Sequence, residues 1–247
     1  MDKSVPNADT PISRKPTIWR LFLMLTVPTI LVFVLIAIFI AIYSALGHGE
    51  GTDINALINR YIVYFLILNH TLSFCLLMVF LRKDGLQLSD IGFRLPENGA
   101  KGFVIEIGVA VLTTLVVIGL ITTIMPLFEA VQAENPGLVK GDKILGNGFL
   151  LALLTSVFVA SFVEESIFRG YGMTGLSRHW GLLGAILISS IFFGLLHISY
   201  GLVGVFRTMF QGLVLAFLFA RSRSLLGPMI GHSLTNLIGT LWAFDVI

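Results

Sequence analysis

Residues 144–163 read ILGNGFLLALLTSVFVASFV, and residues 164–176 continue EESIFRGYGMTGL. The first segment carries no Asp, Glu, Lys or Arg; the second brings two adjacent carboxylates, Glu164 and Glu165, and then Arg169, before a basic turn at Arg178. At 1.5 Å of rise per residue, about 20 residues of helix cross a hydrocarbon layer about 30 Å thick. An apolar run of that length belongs in a large soluble core or in lipid, and the rest of the chain decides between them. Of 247 residues, 56% are Ala, Val, Ile, Leu, Met, Phe, Trp, Tyr or Cys, 12% are charged, and the mean hydropathy is +0.93. An ordinary soluble domain is roughly 25% charged. A water-borne globule of this size cannot hide so much apolar surface, so lipid is the solvent for most of the chain.

Working outward, six stretches of 20 residues or more lack all four charged residue types: 21–49, 61–81, 107–128, 144–163, 179–206 and 224–244. A seventh, near 203–220, carries Arg207 towards one end, where its long stem can reach the headgroups. The expected fold is all-α, a polytopic transmembrane helical bundle of about seven spans. The first run follows basic residues as a signal peptide would, but it is longer than the apolar region of about 7 to 15 residues found there, and it reads as a retained helix. Lys3, Arg14, Lys15, Arg20, Arg82, Lys83, Arg94, Lys101, Arg169, Arg178, Arg221 and Arg223 fall on one side, against Arg60, Lys140, Lys143 and Arg207 on the other. That asymmetry places the N-terminus in the cytoplasm and, with seven spans, the C-terminus outside. Gly and Pro clusters at Gly47–Gly51, Pro96–Gly102, Pro136–Gly148 and Gly227–Pro228 mark loops. Two parts follow: residues 1–100, an N-terminal cytoplasmic segment with the first two spans, and residues 101–247, a membrane core with the polar motifs.

Several functions drop out at once. No Gly-rich phosphate loop or basic tract is present, so neither nucleotide nor nucleic acid is an expected partner. Cys75 is the lone cysteine, which excludes an internal disulfide and a CxxC metal site. The expected partners are the lipid bilayer and a membrane-associated peptide or protein.

A charge near the bilayer centre costs at least about 2.5 to 3.5 kcal/mol on the insertion scale, so acids and imidazoles inside spans are functional candidates by default. Counted from the basic turn at Arg178, Glu164 lies ~21 Å into the membrane. Glu165 and Arg169 stand i,i+4 with the acid N-terminal, the orientation in which they neutralise each other. Glu164 points about 100° away, without a partner on its own helix, and needs a base or a metal from another one. His197, ~24 Å from the start of its span near Gly181, can supply it, as can His232, ~13 Å past Arg223. Asn236, ~20 Å past Arg223, shares a helix face with His232. Three helices thus bring four polar side chains to overlapping depths.

Two chemistries fit this set. Glu164 can act as general base towards water with His197 sharing the proton, while His232 and Asn236 stabilise the oxyanion of a tetrahedral intermediate. Equally, Glu164, His197 and His232 make a His2Glu set of the kind that binds catalytic Zn2+ with one position open for water. In the metal version another group, such as Glu165, must serve as base, and its pairing with Arg169 opposes that.

The motifs EExxxR at Glu164, Glu165 and Arg169, FxxxH at Phe193 and His197, and HxxxN at His232 and Asn236 together resemble the CPBP (Abi) family of intramembrane proteases, which includes CAAX-processing endopeptidases and bacteriocin-immunity proteins. The resemblance covers residues 145–240, about 40% of the chain. It implies an all-helical membrane peptidase whose glutamate, two histidines and asparagine line a cavity within the bilayer. Family members have been classed as metalloproteases and as glutamate-type proteases. Eukaryotic relatives remove the terminal tripeptide of prenylated CAAX proteins, and the short loops here suit a multi-pass protein of a bacterial plasma membrane.

Taken singly, His197 or His232 reads as an interhelical hydrogen-bond donor; their occurrence with Glu164 favours chemistry. Glu165 and Arg169 read as structural support, Phe193 as a wall of the site, and Asn69 and His70 as core or lipid-interface polar groups. Trp19, Trp180 and Trp242 fall near span ends as interfacial anchors. Gly181, Gly184, Gly201, Gly204, Gly212, Gly231 and Gly239 read mostly as packing positions. Other classes of function remain: a proton-coupled transporter, which would favour two related halves with broken helices, and a non-catalytic bacteriocin-immunity protein.

Overall fold

A computed structural model describes residues 16–48, 51–96, 99–124 and 148–243. Among the described residues the regular elements are all helical. Helix α1 spans Ile18–Tyr43 and runs on into a π-helical turn, Ser44–His48. Helix α2 spans Ile54–Asp84; the Asp53 side chain accepts from the backbone N–H of Asn55 and Ala56, satisfying its first donors, and Gly85 ends it at φ 66°. Helix α3 spans Gly99–Ile124. The helical run Phe149–Leu196 is broken by non-helical dihedrals at Trp180 (φ −126°, ψ 15°) and Gly181 (φ 69°, ψ 177°), which divide it into α4, residues 149–179, and α5, residues 182–196. Helices α6, Gly201–Ser222, and α7, Leu226–Ala243, complete the bundle.

Among the described residues, five stretches are long and apolar enough to cross a membrane: Ile18–His48, Ile54–Asp84, Gly99–Ile124, Phe149–Leu196 and Ile198–Ser222. Seven were expected. The broken run counts once although it makes two rods. Helix α7 falls short because His232, Thr235 and Asn236 interrupt its apolar sequence. The side chains that furnish the candidate site are therefore the ones that weaken the span signal. Lys3, Arg14, Lys15, Lys140, Lys143, most of the Pro136–Gly148 loop and parts of the expected spans at 107–128 and 144–163 lie outside the described residues.

Helix α4 is the hub, packed against α1, α2, α6 and α7. Its Val163, Ile167, Phe168, Tyr171 and Met173 meet Leu21, Met24 and Leu25 of α1, Leu77, Phe80 and Leu81 of α2, and Phe193 of α5 in one buried cluster. Such close approach needs glycine. A Cβ on Gly170 would lie 2.9 Å from the Ile91 carbonyl oxygen, and one on Gly194 would lie 2.8 Å from the Val205 carbonyl oxygen of α6. Of the glycines expected to pack helices, Gly212 and Gly231 do so, whereas Gly181 and Gly201 take positive φ at turns. Gly239 faces open space.

The outer faces are apolar. Val104, Leu112 and Leu115 of α3 and Ile30, Ile38 and Ile42 of α1 are all exposed, a surface suited to lipid rather than water. Trp19, Trp180 and Trp242 are exposed at helix ends.

One end of the bundle is tied by polar contacts. Arg20 pairs with Asp84, which also accepts from the Tyr171 hydroxyl at 2.7 Å. Arg94 donates to the Arg223 carbonyl at 3.0 Å, and Arg221 pairs with the buried Glu106. Arg169, grouped by sequence with the basic residues of this side, instead lies fully buried in the interior. Its neighbour Glu165 explains why.

Candidate active site

Glu164 and Glu165 lie on a short α-helical segment of α4, Ser161–Glu165, between π-helical turns at Thr155–Ala160 and Ser166–Met173. Such wide turns inside helices concentrate at functional sites. Successive helical residues point about 100° apart, so the two carboxylates face different neighbours.

Glu165 is fully buried. Its Oε1 accepts from Arg169 Nη1 at 3.0 Å, the i,i+4 pair legible in the sequence, and from His232 Nδ1 at 2.8 Å. Arg169 also donates Nη2 to the Gly212 carbonyl of α6 at 3.1 Å, and its guanidinium carbon stands 4.2 Å from the centroid of the Phe193 ring. The cation is thus held by a carboxylate, a carbonyl and an aromatic face, which together replace its hydration.

Glu164 faces α2. Its Oε1 lies 3.0 Å from His70 Nε2. Its Oε2 makes no hydrogen bond among the described residues and lies 3.9 Å from His232 Nε2. That gap is too long for a direct hydrogen bond, but a water about 2.8 Å from each atom would touch both at close to a right angle. Each imidazole spends Nδ1 on an acceptor: His70 on the Leu66 carbonyl at 2.6 Å, His197 on the Phe193 carbonyl at 3.0 Å, and His232 on Glu165. The acceptor places a hydrogen on Nδ1 and turns Nε2 of each ring towards the site; His70, with acceptors at both nitrogens, carries hydrogen on both and donates from Nε2 to Glu164.

The structure brings Glu164, Glu165, Arg169 and His232 together. Phe193 forms a wall between the histidines, its ring centroid 5.2 Å from that of His197 and 5.5 Å from that of His232. His197 is half-buried and packs against the cluster through this ring. Asn236 donates one amide N–H to the Ser156 carbonyl of α4 at 2.7 Å, which leaves its second N–H to spare. His70, read from sequence as a core or lipid-interface polar group, is in hydrogen-bond contact with Glu164. No local motif marked it. The signal available was its place in the middle of a span, where an ionisable group is functional by default. Among the described residues no group of three or more His, Cys, Asp or Glu side chains is arranged to hold a metal ion.

A helical bundle with lipid-suited faces and a buried carboxylate–imidazole cluster defines a multi-pass membrane protein with a polar centre inside the bilayer. Residues 146–238 match the model of a family described as Type II CAAX prenyl endopeptidase Rce1-like. The family resemblance carried by the three motifs therefore holds over this segment, which contains Glu164, Glu165, Arg169, Phe193, His197, His232 and Asn236. The chain is also 31% identical over 128 residues to an uncharacterized protein of Mycoplasma capricolum, an alignment covering 49% of this chain and 37% of that protein. No solved structure matches.

Proposed function

We propose that this protein is an intramembrane endopeptidase that hydrolyses a peptide bond of a membrane-associated substrate. The observation that carries the reading is the asymmetry of Glu164: one oxygen is held by His70, and the other makes no hydrogen bond among the described residues and lies 3.9 Å from His232 Nε2, a separation one water can bridge. The match of the surrounding segment to a CAAX endopeptidase family supports the same chemistry and points to prenylated CAAX peptides as the first substrate class to try.

In the reaction, Glu164 Oε2 takes a proton from the bridging water while the water oxygen bonds to the carbonyl carbon of the substrate. The carbonyl electrons move onto oxygen. The spare N–H of Asn236 is a donor for that oxyanion, and His232 is the second in its imidazolium form, donating from Nε2 while Nδ1–H stays on Glu165. Its collapse breaks the C–N bond, the proton held by Glu164 passes to the leaving nitrogen, and the carboxylate is restored. Glu165 and Arg169 keep the His232 ring in place. His197, the more accessible imidazole, shares the proton. No step is routed through a metal.

The test uses the purified protein in lipid nanodiscs with a farnesylated CAAX peptide and its unprenylated counterpart. Cleavage of the prenylated peptide, lost in Glu164→Gln, His197→Ala and His232→Ala, is the expected result; full cleavage by all three variants contradicts the reading. Metal analysis with chelation and re-addition addresses Zn2+. Full activity in a metal-free preparation is expected, and activity that follows zinc content would make the histidines ligands instead.

A further inference from the structure

We propose that His70 is a positioning residue of the hydrolytic centre: through Nε2 it holds Oε1 of Glu164 and so turns Oε2 towards His232 and the attacking water. This rests on the hydrolytic reading above. His70 lies on α2, outside the family-matched segment 146–238 and outside all three motifs.

The geometry around the ring is over-determined. His70 is buried, its Nδ1 is fixed from behind by the Leu66 carbonyl one turn earlier, and a single nitrogen remains to meet Glu164 at 3.0 Å. The register of α2 against α4 is set on both sides of this contact. Towards one end, Ile58, Ile62 and Phe65 cluster with Ala152 of α4. Towards the other, Phe74 packs on Phe162 with ring centroids 5.3 Å apart, and Tyr171 donates to Asp84. His70 therefore cannot slide away from Glu164 without disturbing α2 as a whole. A carboxylate with neither oxygen held turns freely about its last bond. With Oε1 anchored, Oε2 keeps one direction, which is what a base must offer a single bound water.

Four variants in nanodiscs, assayed on the farnesylated CAAX peptide, test the role: His70→Ala, His70→Gln, the lipid-facing control Leu72→Ala, and Glu164→Gln. A displaced base costs roughly 100-fold in rate. His70→Ala is expected to lower kcat by about that factor with KM nearly unchanged. His70→Gln, whose amide N–H can still donate to Oε1, should recover at least about tenfold of the loss, and Leu72→Ala should match the parent. Parental kcat in His70→Ala would overturn the role. So would equal losses in the Ala and Gln variants tracked by a falling melting temperature, which would make His70 a packing residue. Cleavage surviving in Glu164→Gln is a different result: it removes the hydrolytic reading itself, and the positioning role with it.

Discussion

Glu164 and Glu165 are neighbours in the chain, and the regions they face differ in how completely they are closed. On the Glu165 side, one carboxylate oxygen gathers a guanidinium and an imidazole, and the guanidinium reaches a carbonyl and an aromatic face as well. On the Glu164 side, one oxygen meets His70 and the other lies 3.9 Å from His232 Nε2. The second oxygens of both glutamates make no hydrogen bond among the described residues, and what separates the two is closure, the Glu165 side chain being 0% exposed and that of Glu164 9%. A network of buried charges fixes geometry, whereas a carboxylate oxygen without a hydrogen bond beside an imidazole retains the capacity to accept a proton. In the proposed reading the Glu165 side is the structural half and the Glu164 side the chemical half, joined through the two nitrogens of His232.

The sharpest way to break this comparison is at the open side. Glu164→Gln keeps shape and can still bond to His70, yet it removes the base; peptide cleavage should fall about 100- to 10,000-fold with the melting temperature almost unchanged. At the closed side the effects should reverse. Arg169→Leu leaves Glu165 as an uncompensated buried charge and should destabilise the fold by about 3 to 5 kcal/mol, read as lost yield and a lower denaturation midpoint. Gly212→Ala sharpens the boundary between the halves. Its Cβ would stand 3.1 Å from Phe193 Cδ1 and 3.4 Å from Arg169 Nη2, so the wall and the cation must both shift. A stability loss of about 2 kcal/mol is expected from such overpacking, with a smaller fall in rate than Glu164→Gln gives. Tyr171→Phe, remote from both halves, removes the donor to Asp84 and should cost about 1.5 kcal/mol while leaving kcat unchanged. A change in kcat there would mean that the tie between α2 and α4 reaches the site.

Much of this was legible in residue spacing. Composition and run length are enough for an all-helical membrane bundle, because lipid demands long apolar helices. The i,i+4 relation of Glu165 and Arg169 foretold their ion pair, and the different bearing of Glu164 foretold that its partner sits on another helix. The identity of that partner was hidden. His70 is 94 residues away in the chain, and depth measured from basic turns ranks His197 and His232 without drawing attention to α2. Helical periodicity also assumes about 3.6 residues per turn. The π-helical turns on either side of Ser161–Glu165 break that assumption where the site is built, so beyond the local Glu165–Arg169 pair the side-chain bearings depart from what spacing gives.

The central claim is most directly tested by measuring kcat on the farnesylated peptide and the melting temperature together for Glu164→Gln and Glu165→Gln in nanodiscs. Glu164→Gln should lose kcat at near-parental stability, and Glu165→Gln should lose stability first, with whatever folds retaining measurable turnover. Parental kcat in Glu164→Gln, or the opposite pattern between the two variants, would contradict the assignment of the open carboxylate as the base.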